Sequence, residues 1–174
     1  MADSVSVLGS TNALNGASSV LVLNTNLGGK NYNIVKEAAD EWNSALGREA
    51  VSVEKGQVSA NLKSGDNINS ITTGNIPGSP IGATYSHIKT TNSPSKLTTK
   101  EVDIAIEPSN DDDVLKAVAL HEIGHALGAE HVSDENAVMN ATLETGNNSN
   151  IPTKLTQSDV SSIKSTGYYV NTYA

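Results

Sequence analysis

At 174 residues the chain is long enough for one domain with a hydrophobic core and too short to expect two. It holds no cysteine, no phenylalanine, one tryptophan and five tyrosines, which excludes disulfides and thiolate chemistry and leaves Val, Ile, Leu and Ala to build the core. A formal net charge of −8 without any run of Lys and Arg excludes nucleic acid as the main partner, and no apolar stretch approaches the roughly 20 residues that span a bilayer.

Residues 1–17, rich in Ser, Asn, Gly and Ala, read as a loose lead-in that lacks the basic start and apolar segment of a signal peptide. The run SSVLVLNT (18–25) predicts a strand. In NYNIVKEAADEWNSAL (31–46), Ile34, Ala38, Trp42 and Leu46 recur every four residues, with Val35 and Ala39 widening the stripe. That period predicts an amphipathic helix with Trp42 packed inward. Residues 50–66 alternate apolar and polar around Gly56, as two short strands would. Residues 64–80, rich in Gly, Pro and Asn, read as a long irregular loop. Two more strands are expected at 81–90 and 101–108, and two more helices at 114–128 and 156–166. The sum is a single α+β (mixed α/β) domain over residues 1–174, with about five strands and three helices. SNDDD (109–113) reads as the cap of the second helix, with a Ca2+ site as the alternative. SGDNINS (64–70) offers oxygen ligands without a calcium spacing.

Three of the four histidines fall within HEIGHALGAEH, residues 121–131. On a helix, positions i and i+4 lie one turn apart on nearly the same face, so His121 and His125 can aim imidazole nitrogens at one point. Glu122 projects beside that pair, where a general base acting on a metal-bound water would stand. In a continuous helix His131 would lie about 15 Å beyond His121, too far for a shared metal. The chain must therefore leave the helix and double back, and Gly128 is the residue that permits the turn. Three imidazoles plus one open position is a catalytic zinc arrangement, because structural sites close all four positions. The bland alternatives are solvated helix histidines or a structural zinc site.

The motif His-Glu-x-x-His-x-x-Gly-x-x-His followed by Met139 resembles the metzincin clan of zinc endopeptidases. SDENAVMN (133–140) is similar to the clan's Met-turn, and the step from His131 to Met139 is most like the matrixin, or matrix metalloproteinase, family. VKEAADEWNSAL (35–46) resembles the matrixin first helix, and LTQSDVSSIKSTGY (155–168) its closing helix. The resemblance implies a twisted sheet with an active-site cleft between a larger N-terminal and a smaller C-terminal subdomain, the latter spanning 132–174. It implies one catalytic Zn2+ on His121, His125 and His131, Glu122 as general base, and Met139 as the floor of the site. The strand holding Ala83, Tyr85 and His87 would edge the cleft and bind an extended peptide by main-chain hydrogen bonds. The implied protein is a zinc metalloendopeptidase with protein or peptide substrates, a monomer, exported, and similar to a minimal bacterial member.

Departures from the family pattern are specific. The second, structural zinc of matrixins needs three further His and an Asp, and only His87 remains. The cysteine-containing latency segment is absent. Ser158-Asp159 stands where two acidic residues commonly tie the N-terminus and the Met-turn, so one tie is lost. Asn140-Ala-Thr follows Met139 without the Pro and Tyr that often wall the specificity pocket, and without a tyrosine fifth ligand. Two other functions stay open at this point: a zinc-binding interaction module without turnover, and a narrow processing or toxin-like protease.

Overall fold

The computed structural model describes residues 20–58, 68–76, 78, 81–91, 97–143 and 150–163, with side chains of 87–91 and 97–100 outside that description. The expected lead-in at 1–17, the second strand at 59–66, the connection at 92–96 and Tyr168-Tyr169 lie outside the described residues. No described helix is long and apolar enough to cross a membrane.

Five strands form one sheet in the order β2-β1-β3-β5-β4. β1 (Leu21–Thr25) buries Leu21, Leu23 and Thr25 on one face, as the alternation requires. It pairs in parallel with β2 (Val51–Lys55) and with β3 (Ser70–Thr73), and β3 pairs in parallel with β5 (Leu97–Ile106). β4 (Gly82–Thr91) closes the far edge antiparallel to β5, with Gly82 opposite Ile106 and His87 opposite Glu101.

α1 (Gly29–Leu46) buries Ile34, Val35, Ala38, Ala39 and Trp42. Gly47, in the left-handed conformation at φ 65°, ends it. Asn43 then fastens α1 to β2: its Oδ1 accepts from Ala50 N at 2.7 Å and Val51 N at 3.0 Å, and its Nδ2 donates to Val51 O at 2.8 Å. α2 (Asp112–Leu127) begins where Asp111 Oδ1 accepts from Asp113 N and Val114 N, so the acidic run does cap the helix. α2 is buried on almost every side, and it shares one continuous core with α1, β1, β2, β3 and β5. Trp42 Nε1 donates to Leu120 O at 2.8 Å, which locks α1 to α2 one residue before His121. Ile76, Ala83, Ala105 and Tyr85 form a separate cluster.

Among the described residues, a mixed α/β architecture with five strands and three helices agrees with the expected α+β fold of the metzincin type. Two elements differ. β3 lies inside the stretch read as a loop, and the polar residues at its start are buried and bonded across the sheet. Ser70 Oγ donates to Asp103 Oδ1 at 2.7 Å, and the neighbouring Asn69 Oδ1 accepts from Val102 N at 3.0 Å. The third helix, α3 (Gln157–Ser161), stops well short of 166, since Ile163 pairs with Ala129 in an antiparallel bridge.

Candidate active site

α2 ends at Gly128, whose φ of 95° and ψ of 14° are left-handed. Gly128 N donates to His125 O at 3.0 Å and Ala129 N to Gly124 O at 2.8 Å, which ties off the last carbonyls. The chain then reverses. Ala129 pairs with Ile163, and Val132 N donates to Met139 O at 3.0 Å. The reversal carries His131 back to the two helical histidines.

The three Nε2 atoms converge: His121–His125 3.0 Å, His125–His131 3.1 Å and His131–His121 3.2 Å. Behind them, His121 Nδ1 lies 2.8 Å from Val138 O, and His125 Nδ1 lies 3.0 Å from Ala129 O. A carbonyl only accepts, so each Nδ1 carries the proton and each Nε2 turns a lone pair to the common point. Burial holds His121 down to about 4 and His125 to about 3, and it lowers His131 as well. Neutral imidazole is the form that binds a metal. Just off the plane of these three nitrogens lies a point about 2.0–2.1 Å from each, the zinc–imidazole distance, so the residues fit that ion. Among the described residues this is the one group of three side chains placed to hold a metal.

Glu122 is 1 % exposed. Burial pushes its carboxyl up to about 7, against the hydrogen bond from Thr84 that favours the charged form. With His121 it lines a cavity of about 280 Å³, walled also by Ile81 and Gly82 where β4 begins, by Val118 of α2, and by Val138 and 140–143. A buried base near neutrality, beside three converged imidazoles and an open cavity, is an arrangement suited to hydrolysis.

A family model described as Matrixin matches residues 12–168. The chain belongs to the matrixin family. The histidine triple fits that family's zinc motif. No curated protein matches the sequence at a significant level.

In this matrixin the Met-turn is tied from two sides. Met139 is fully buried, and its N–H donates to Asp159 Oδ1 at 2.7 Å. Of the two ties that Ser158-Asp159 could carry, the one to the Met-turn is therefore kept. Ser158 instead donates to Asp134 Oδ2 at 2.9 Å. Because Val138 O lies 2.8 Å from His121 Nδ1, the turn before Met139 orients a histidine of the triple.

Gly124, missed from the sequence, is what lets the Met-turn approach. A Cβ there would stand 2.5 Å from Met139 Sδ and 2.8 Å from Trp42 Cζ2. The indole is pinned by its bond to Leu120 O, so only the thioether could yield. Gly124→Ala is expected to lower stability by about 1–3 kcal/mol, although Ala is the better helix former. Equilibrium denaturation checks this, and an equal or more stable variant would contradict the packing.

The three strand residues lie where the edge strand was expected, but their side chains do not all meet the site. Ala83 and Tyr85 pack with Ile76 and Ala105 in the separate cluster. Nor do their main-chain groups face the open edge: Glu107 N donates to Ile81 O at 2.9 Å, and in that register Ala83 and Tyr85 turn theirs to β5, while Gly82 and Thr84 turn theirs outward. His87 stands opposite Glu101 along β4, with its side chain outside the described part. Thr84 and Gly82, which alternate with Ala83 and Tyr85, are the strand residues that touch Glu122.

Proposed function

We propose that this matrixin is a zinc-dependent endopeptidase, with His121, His125 and His131 holding one zinc ion and Glu122 acting as general base. The observation that carries this is the convergence of three Nε2 atoms, two of them held in the metal-binding tautomer by carbonyls behind the rings. A zinc ion bound there supplies Lewis-acid polarisation of a carbonyl and brings the pKa of a water toward about 7.

The protein's own residues do the rest. A peptide lies extended along β4, a terminal strand of the described sheet. An aliphatic side chain next to the scissile bond enters the cavity between Val118, Val138, Ile81 and Leu143. Glu122 takes a proton on its carboxylate as a water oxygen bonds to the carbonyl carbon. It then delivers that proton to the amide nitrogen as the C–N bond breaks. Export, the usual setting of matrixins, belongs to the same proposal.

The test is cleavage of a diverse peptide library by the zinc-loaded protein, with and without a chelator. The expected result is chelator-sensitive cutting with aliphatic residues enriched beside the cleaved bond. Stoichiometric zinc with no cutting of any peptide would instead support a binding module.

A further inference from the structure

Gly82 and Thr84 are two apart on β4, so they share the face turned to α2. Both meet the same carboxyl. Thr84 Oγ1 lies 2.6 Å from Glu122 Oε2 and 3.0 Å from the main-chain carbonyl oxygen of Glu122. One hydroxyl thus spans both ends of a single residue and fixes the side chain relative to its own backbone. At the other carboxyl oxygen, a Cβ built on Gly82 would stand 2.6 Å from Glu122 Oε1 and 2.9 Å from its Cγ, and 2.6 Å from Val118 Cγ1. The bare strand backbone is the wall against which the second oxygen rests.

Thr84 is 5 % exposed, so water has little chance to replace its hydroxyl. A bond of 2.6 Å to a carboxyl oxygen is at the short, strong end for O–H donors. Glu122 has three rotatable side-chain bonds and meets an open cavity on one side. Without the hydroxyl, the carboxyl is free to turn toward that space, and a misplacement of about 1 Å in a reacting group costs roughly 10²-fold in rate.

We propose that Thr84 is a positioning residue for Glu122: its hydroxyl holds one carboxyl oxygen while the Gly82 backbone stops the other, keeping the base aimed at the space beside His121. The inference rests on the assignment of Glu122 as base. Thr84 does not line the cavity, so its loss leaves peptide binding alone.

The experiment compares Thr84→Val, Thr84→Ser and Gly82→Ala in the zinc-loaded protein, by steady-state kinetics on a cleaved library peptide and by crystal structures of each. Valine keeps the volume and β-branch of threonine and removes only the hydroxyl. Thr84→Val is expected to lose about 10–100-fold in kcat with KM within about twofold of wild type, and its crystal structure to show the Glu122 carboxyl turned from β4. Thr84→Ser is expected to recover most of that loss, with Glu122 back in place. Gly82→Ala, which crowds the carboxyl and Val118 alike, should lower kcat with zinc retained and show Glu122 displaced from β4 in its crystal structure, and that displacement carries the test should the valine variant not fold. A valine variant with wild-type kcat and an unmoved Glu122 would overturn the proposal. So would a loss confined to KM, or a serine variant as slow as the valine one. If the wild type cleaves nothing, the endopeptidase reading fails by itself, and the Glu122 conformation in the crystal structures still decides the positioning.

Discussion

Glu122→Gln is expected to lower kcat by about 10²–10⁴-fold while zinc content and KM stay near wild type. Glutamine matches glutamate in size, and its amide oxygen can still accept from Thr84, so the cradle on β4 and the helix around it are kept. What disappears is the ability to take a proton and pass it on. The carboxyl is 1 % exposed, and no other acid or base among the described residues lines the cavity except His121. His121 Nδ1 is engaged with Val138 O, and its Nε2 faces the other imidazoles. Among the described residues of the cavity, none is left to take over the proton. Steady-state kinetics together with metal analysis check this. A glutamine variant that keeps its zinc and full turnover would remove Glu122 from the mechanism.

Asp159→Ala is expected to destabilise the fold by about 3–5 kcal/mol and to weaken zinc binding by roughly tenfold or more. Asp159 is fully buried and accepts three hydrogen bonds. Met139 N donates at 2.7 Å, Thr156 N at 2.7 Å and Thr156 Oγ1 at 2.9 Å. Alanine leaves all three donors without their acceptor, two of them on the main chain. The effect on the metal follows from the next link, since the Met-turn residue before Met139 supplies the carbonyl that holds His121. Asparagine keeps one oxygen and should fall between wild type and alanine. Denaturant titration and a zinc competition assay read the two effects. A loss below about 1 kcal/mol would show that the Met-turn stands without its tie.

The histidine motif was legible because its geometry is local. Residues 121–128 lie in one helix and its cap, so spacing alone sets where His121, Glu122, His125 and Gly128 project. The return of His131 was legible for the opposite reason: a straight helix excludes it, and only a glycine turn admits it. The amphipathic α1 was equally plain, because one face of it meets the core. Long-range features were hidden. Thr84 and Glu122 are 38 positions apart, and nothing in GATYS marks the threonine as the residue that meets a helix. β3 escaped because Ile71 is its one apolar residue, and buried serine and asparagine look the same in sequence as those of a loop. Ser158 and Asp159 are adjacent, so only the placement of α3 against the Met-turn decides which tie survives. Gly124 did leave a signal. A glycine in mid-helix costs about 1 kcal/mol relative to alanine, which is reason to look for a close approach.

The most direct test of the account is a zinc titration of the metal-free protein, with cleavage of a library peptide followed at each addition. Activity should rise in proportion to added zinc and level off at one equivalent, and His125→Ala should neither bind that zinc tightly nor gain activity. Cleavage that is already complete without zinc, or that persists in the histidine variant, would contradict the assignment of the three imidazoles as the catalytic metal site.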